Sequence, residues 1–205
     1  MSPDHYFSAQ PSTPEKRRDI SVELGGATRR LKSSGGIFSP DRIDKGTAVL
    51  LRGVPAPDSQ GNLLDIGCGW GPIALSMGLA SPEATIYAVD VNERSLGLTR
   101  DNAVSLGLKN VVVALPGEVD PLISYNTIWS NPPIRIGKEA LHELLLLWLP
   151  RLAPGGNAWL VVQKNLGADS LQKWLGTVMP PEWTIERVST DKAFRILHVG
   201  RPETS

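Results

Sequence analysis

From residue 62 onward the chain switches repeatedly between short apolar runs and longer stretches with helical periodicity. Runs at 62–66, 85–90, 110–115, 126–130, 158–163, 183–189 and 194–199 have the length and apolar content of buried strands. Between them, 71–80, 93–106, 138–149 and 170–178 carry apolar residues at helical spacing. Strands separated by helices imply right-handed crossovers and parallel pairing, with helices on both faces of the sheet. The last two strands have only residues 190–193 between them, too few for a crossover, so they form an antiparallel hairpin. The pattern predicts an α/β fold: a doubly wound, seven-stranded, mostly parallel sheet with an antiparallel last strand.

The first 60 residues follow a different rhythm. Ile20, Val22 and Leu24 alternate with polar residues up to Gly25-Gly26, and a second strand-like stretch runs to Lys32. A Gly-Gly pair between such runs is a hairpin signal. A loop then leads into a helix over 45–52. These residues hold too few apolar side chains for a core of their own. Residues 1–60 are therefore expected to be a small hairpin-and-helix cap on one domain spanning 1–205, with 61–205 as the α/β core.

Composition narrows the field. The formal net charge is zero, so no global field marks a nucleic-acid binder. Locally, Lys16, Arg17, Arg18, Arg29, Arg30 and Lys32 outnumber Asp19 and Glu23, an excess of +4. That excess suits either a solvated hairpin face or a surface for RNA phosphates. Cys68 is the single cysteine, which excludes an intrachain disulfide. With a polar N-terminus lacking a signal-peptide core, it points to the cytoplasm. The longest apolar run, LLLLWL at 144–149, is far short of the ~20 residues a membrane span needs and reads as a buried helix face.

The candidate chemistry begins at LLDIGCGWGP, residues 63–72. Gly67, Gly69 and Gly71 let the backbone turn tightly and approach a ligand at the carboxyl end of a strand. The next strand ends on Asp90, followed by Val91, where a carboxylate accepts hydrogen bonds from the ribose hydroxyls of a nucleoside cofactor. A dinucleotide fingerprint spaces its third glycine one residue later than GCGWGP does. Asp65, two residues before Gly67, repels a pyrophosphate but suits a cationic group. In these features the chain resembles the class I S-adenosylmethionine-dependent methyltransferases, which implies a Rossmann-like methyltransferase fold with S-adenosyl-L-methionine as cofactor. By that resemblance Gly117 and Glu118 fall near the segment lining the adenine. Cys68 reads as a small filler within the loop, since no histidine nearby supports thiolate chemistry.

The run 126–130 ends on Asn131-Pro132-Pro133-Ile134. Asn/Asp-Pro-Pro-aromatic is the motif of methyltransferases acting on a nitrogen conjugated to a ring or carbonyl. Such a nitrogen is a poor nucleophile, because its lone pair is delocalised. The Asn131 side-chain oxygen and a Pro-Pro carbonyl can hold its two N–H groups and aim the lone pair at the methyl. The prolines keep those acceptors still before the substrate arrives. Ile134 stands where adenine-N6 and glutamine-N5 enzymes carry an aromatic for stacking, and it offers only an apolar wall.

DHYFS (4–8), GGIFSPDRIDKGT (35–47) and NPPIRIGKEALHELL (131–145) together resemble the small-domain methyltransferases related to ribosomal RNA small subunit methyltransferase C. The resemblance implies methylation of the exocyclic N2 of a guanine in ribosomal RNA, with no metal. It puts Phe38 and Ser39 at the cofactor pocket, Phe38 alternatively in the core of the cap, and Arg135 against substrate phosphate or base. His5 and Tyr6 are read as packing or anchoring residues. The bacterial enzyme of that family carries two related domains, this chain one. RNA positioning then falls to the cap, a homo-oligomer, or a partner such as the small ribosomal subunit. Other readings stay open: an N-methyltransferase for a small molecule, adenine N6 or a protein glutamine, an NAD-dependent oxidoreductase, or a non-catalytic RNA-binding module.

Overall fold

The computed structural model describes residues 16–203 apart from Lys192. The DHYFS segment, with His5 and Tyr6, lies outside the described residues.

The chain opens with a two-stranded hairpin, β1 (Arg17–Leu24) and β2 (Ala27–Ser34). Its two-residue turn places Gly25 at φ +59° and Gly26 at φ +75°, a primed turn that two glycines adopt without strain. Helix α1 (Lys45–Gly53) follows, capped by Asp44, whose side chain accepts from the backbone N–H of Gly46 and Thr47. The α/β core then runs β3 (Asn62–Ile66), α2 (Pro72–Ala80), β4 (Thr85–Val89), α3 (Glu93–Ser105), β5 (Val111–Ala114), β6 (Tyr125–Ser130), α4 (Lys138–Trp148), β7 (Leu152–Gln163), α5 (Ala168–Val178), β8 (Thr184–Asp191) and β9 (Phe194–Gly200). The seven core strands form one sheet in the order β5-β4-β3-β6-β7-β9-β8. Pairing is parallel from β5 to β7, and β9 runs antiparallel to both β7 and β8, as the sequence pattern predicts.

Two details depart from the sequence reading. Strand β7 begins at Leu152, six residues early, because Leu152 pairs with Tyr125 before an irregularity around Gly155 and Gly156. The run 144–149 is not uniformly buried. Leu145, Trp148 and Leu149 pack into the core, but Leu146 and Leu147 are exposed, as helical periodicity requires of consecutive apolar residues.

The hairpin does not stand apart. Ile20, Val22, Leu24 and Leu31 form one apolar cluster with Trp70, Leu75 of α2 and Leu98 of α3. Asn102 of α3 fastens the hairpin at both ends of its amide. Its Oδ1 accepts from Lys32 N at 2.7 Å, and its Nδ2 donates to the carbonyls of Lys32 and Trp70, each at 2.9 Å. The cap is thus pinned to the loop that follows β3.

Candidate active site

Strand order reverses at β3, whose neighbours are β4 and β6, and ligands of open α/β sheets bind in the crevice at such a point. The loop after β3 curls over the end of β4, with Gly67 N and Cys68 N donating to Val89 O at 2.8 and 3.0 Å. Asp90 clamps this loop to the start of α3. Its Oδ2 accepts from Gly69 N at 3.0 Å and its Oδ1 from Asn92 N at 2.9 Å. Both oxygens keep lone pairs for a ligand. From below, Thr99 Oγ1 donates to Gly69 O at 2.9 Å.

The three loop glycines have different tasks. A Cβ on Gly69 (φ +59°) would meet nothing within 4 Å, and one on Gly67 (φ +77°) would come 3.8 Å from Pro133 Cδ. Both face the cavity. Gly71 (φ +99°) does not line the cavity. It starts α2, and a Cβ there would press on Thr99 and Leu75 at 3.1 and 3.2 Å.

Asp65 sits beneath the loop rather than on the cavity wall, fully buried. Its Oδ2 accepts from Ala74 N in the first turn of α2 at 2.9 Å, and its Oδ1 has no partner. Burial raises its carboxyl to about 8, the Ala74 N–H pulling the other way and the Asp90 charge adding to the rise. The folded protein therefore holds a proton that the unfolded chain releases near pH ~4. This contribution to stability is full below about pH 4 and is lost as pH rises through about 8. Asp65→Asn, which cannot ionise, is expected to gain melting temperature over the parent as pH rises from ~5 to ~9. Parallel melting curves across that range would refute the assignment. Burial also pushes the Cys68 thiol well above its usual range, with the Asp90 and Asp65 charges next in effect, so it stays a neutral filler on the cavity wall.

The loop after β2 closes one side. Asn92 Nδ2 and Arg94 Nη1 hold the carbonyls of Gly36 and Gly35 at 3.3 and 2.8 Å, and Trp70 Nε1 donates to Ser39 O at 3.2 Å. Ser39 adopts φ +45° and its Oγ donates to Arg42 O at 2.7 Å. This turns Phe38 onto the cavity, 45% exposed, rather than into the cap core, which Ile37 fills instead. Val91 and Pro116 line the cavity as well. Gly117 and Glu118 do not. Glu118 turns back to accept from Leu115 N at 2.9 Å, and Pro116 takes the wall position.

Asn131 follows β6 directly, next to Ser130, whose Oγ donates to Ile66 O at 2.7 Å across the switch point. Asn131 Nδ2 donates to Asp44 Oδ2 at 2.9 Å and to Thr47 Oγ1 at 3.1 Å. Both amide hydrogens are spent, and Oδ1 receives no hydrogen bond among the described residues. The Pro132 and Pro133 carbonyls accept from Ile134 N and Ile136 N at 2.8 and 3.1 Å, each keeping a second lone pair. The Pro-Pro segment is thus held by its own short turns.

Together these groups line a cavity of about 1170 Å³. That exceeds the ~300–1000 Å³ of a typical small-molecule pocket. Its lining includes the glycine loop, Asp90, Val91 and Phe38. It also includes Ile134, Leu147, Leu166 and Phe194, and the charged Arg135 and Glu143.

Asp44, Thr47 and Phe194 are the site residues that sequence reasoning passed over. An aspartate three residues before Thr47 is a legible helix cap. Its contact with a residue 87 positions away is not. The basic excess over 16–32 also changes meaning. Arg17 pairs with Asp101, Arg18 with Asp41, and Arg30 with Asp19 at 2.7 Å. Two of these acids lie outside the stretch, so they halve its excess from +4 to +2 and leave a mildly basic face.

The profile of the family described as methyltransferase small domain matches residues 28–198. The chain is 35% identical over 170 residues to an uncharacterized protein, YbxB, of Bacillus subtilis, covering 82% of this chain and 85% of that one. It is 30% identical over 148 residues to ribosomal RNA small subunit methyltransferase C of Shewanella loihica, covering 70% of this chain and 43% of that one. The chain therefore spans less than half the length of that methyltransferase. Among solved structures, a Thermus thermophilus 16S rRNA N2 methyltransferase in complex with AdoMet and guanosine superposes with a TM-score of 0.71 at 20% identity, over 93% of this chain and 52% of that one. At that identity the match speaks to the fold.

Proposed function

The chain belongs to the methyltransferase small domain family, and from that we propose that it transfers the methyl of S-adenosylmethionine to the exocyclic N2 of a guanine in ribosomal RNA. The observation that carries the reading is the Asn131 amide on the cavity lining, whose nitrogen is fully engaged while its oxygen takes no hydrogen bond among the described residues. Its similarity to ribosomal RNA small subunit methyltransferase C, and to a 16S rRNA N2 methyltransferase holding guanosine, supports the guanine and the RNA.

The residues present fit S-adenosylmethionine. The space above Gly69 is what a Cβ would fill, Asp90 keeps lone pairs for ribose hydroxyls, and Phe38, Val91 and Pro116 give apolar walls for a base. When bound, its sulfonium supplies an electrophilic methyl and a good leaving group. Asn131 Oδ1 then accepts one N–H of the amine, and a Pro-Pro carbonyl accepts the other through its spare lone pair. Held at two points, the nitrogen moves toward tetrahedral geometry with its lone pair along the line of transfer. Methylation makes the nitrogen cationic and its proton acidic, so the proton leaves to water without a strong base. Ile134 offers a flat ring only an aliphatic wall, and Phe194, on the lining of the same cavity, offers an aromatic one.

No helix of the described residues is long and apolar enough to cross a membrane, consistent with an enzyme that meets ribosomal RNA in the cytoplasm. An oxidoreductase would give Asn131 no task, and family membership removes that reading.

The test is tritiated-methyl transfer from S-adenosylmethionine to ribosomal RNA purified from a strain lacking the gene, with nucleoside analysis of the product. Label in N2-methylguanosine is the expected result. Label on adenine or on protein would reject the guanine assignment.

A further inference from the structure

We propose that Asp44 is a positioning residue that fixes which end of the Asn131 amide meets the substrate, and so dictates asparagine rather than aspartate at that place. The inference rests on the reading of Asn131 as the amine acceptor and goes one step behind it.

An asparagine amide has nearly the same shape after a half-turn that exchanges its oxygen and nitrogen. Its neighbours alone decide which end points where. At Asn131 the neighbour is a carboxylate, which only accepts. An amide oxygen 2.9 Å from Asp44 Oδ2 would set lone pair against lone pair, and only the NH₂ end can lie there. Thr47 Oγ1, 3.1 Å from the same nitrogen, takes the second hydrogen. The oxygen is left facing the cavity, so the site admits a nitrogen that still carries hydrogen and rejects one that offers only a lone pair.

Asp44 cannot swing away to relieve a wrong amide. The oxygen that meets Asn131 also caps α1, accepting from Gly46 N at 2.8 Å and Thr47 N at 3.4 Å. Gly46 lets this happen. A Cβ there would sit 3.0 Å from Asp44 Oδ2, 3.1 Å from Phe194 Cε1 and 3.3 Å from Asn131 Nδ2, inside the knot of groups that sets the amide. The helix N-terminus in the cap and the catalytic turn after β6 are therefore joined through one carboxylate oxygen.

The consequence concerns aspartate, the other residue type able to accept from an amine at this motif position. Asn131→Asp would place a second carboxylate oxygen about 2.9 Å from Asp44 Oδ2. Two carboxylates so close cannot both ionise without a large penalty. The penalty should vanish when Asp44 loses its charge.

A double-mutant cycle tests this with Asn131→Asp, Asp44→Asn and the pair together, in the full chain. Asparagine is itself a good helix cap, so Asp44→Asn keeps α1, but its amide can turn an NH₂ toward Asn131, and turnover is expected to fall by about fivefold with affinity for S-adenosylmethionine unchanged. Asn131→Asp should lower kcat by about 30-fold or more and lower the melting temperature, with affinity for S-adenosylmethionine within about threefold of the parent. The pair should melt above Asn131→Asp alone and turn over at least about tenfold faster. Additive effects on both melting temperature and kcat would overturn the proposal, as would an Asn131→Asp protein as active and as stable as the parent. The melting measurements need no substrate. A non-additive melting cycle in a protein that methylates no ribosomal RNA would therefore reject the substrate assignment and leave the Asp44 proposal standing.

Discussion

Asn131→Ala is expected to lower kcat by about 100- to 1000-fold while leaving the Kd for S-adenosylmethionine within about threefold of the parent. The size follows from what is removed. On the proposed reading, Asn131 Oδ1 is a preorganised acceptor at the nitrogen that gains positive charge during transfer. Loss of one such contact in other enzymes costs about 3–4 kcal/mol of transition-state stabilisation. Selectivity for kcat follows from position. The groups that fit the cofactor, Asp90, Gly69, Val91 and Phe38, belong to the loops after β2, β3 and β4, whereas Asn131 sits after β6 and bonds to Asp44 and Thr47. The alanine variant leaves Asp44 capping α1 through Gly46 N, so the fold should survive. Single-turnover methyl transfer alongside calorimetric titration of the cofactor separates the two quantities. Parallel losses in both would make Asn131 a structural residue of the cofactor pocket.

The complementary result is expected at Asp90. Asp90→Ala should weaken S-adenosylmethionine by about 100-fold or more, with far less effect on the chemical step at saturating cofactor. Two losses combine. The ribose hydroxyls lose a charged acceptor, worth about 1.5–3 kcal/mol per hydrogen bond. Gly69 N and Asn92 N lose the oxygen that binds the glycine loop to the start of α3, so the cradle itself loosens. Asp90→Asn keeps one acceptor and is expected to lose only about a tenth as much affinity. Calorimetry on the two variants checks the order. Equal affinity in parent and alanine variant would remove Asp90 from the cofactor site.

These expectations draw unequally on sequence and structure. The sheet was legible because strand-length apolar runs and helical spacing alternate strictly after residue 62, and that rhythm admits few topologies. Gly67, Gly69, Asp90 and Asn131 could be placed on one edge because each follows a strand that must point the same way. What the sequence could not convey is how a group is spent. Asp65 reads as a cavity carboxylate, yet Ala74 N draws it beneath the loop. Gly71 reads as a ligand-facing glycine, yet it begins a helix against Thr99. Glu118 lies near the cofactor segment in sequence, yet its side chain closes a turn on Leu115 N. Asp44 was visible as a cap and invisible as the partner of Asn131, since nothing local announces a contact across 87 positions. The missing aromatic at Ile134 was a gap in the motif, and nothing in the sequence signalled that Phe194, on the last strand, lines the same cavity.

The ion pairs of the N-terminal hairpin bear on how such a protein would hold a polyanion. Grip on nucleic acid comes largely from small cations freed when arginine and lysine replace them along the phosphates. Arg17, Arg18 and Arg30 already lie against Asp101, Asp41 and Asp19. For each to reach a phosphate it must first leave a carboxylate, a step that an exposed pair, worth about 0–1 kcal/mol, resists only weakly. The ion pairs would therefore soften rather than block attachment through that face, and selectivity among RNAs would rest on the shape and chemistry of the cavity mouth.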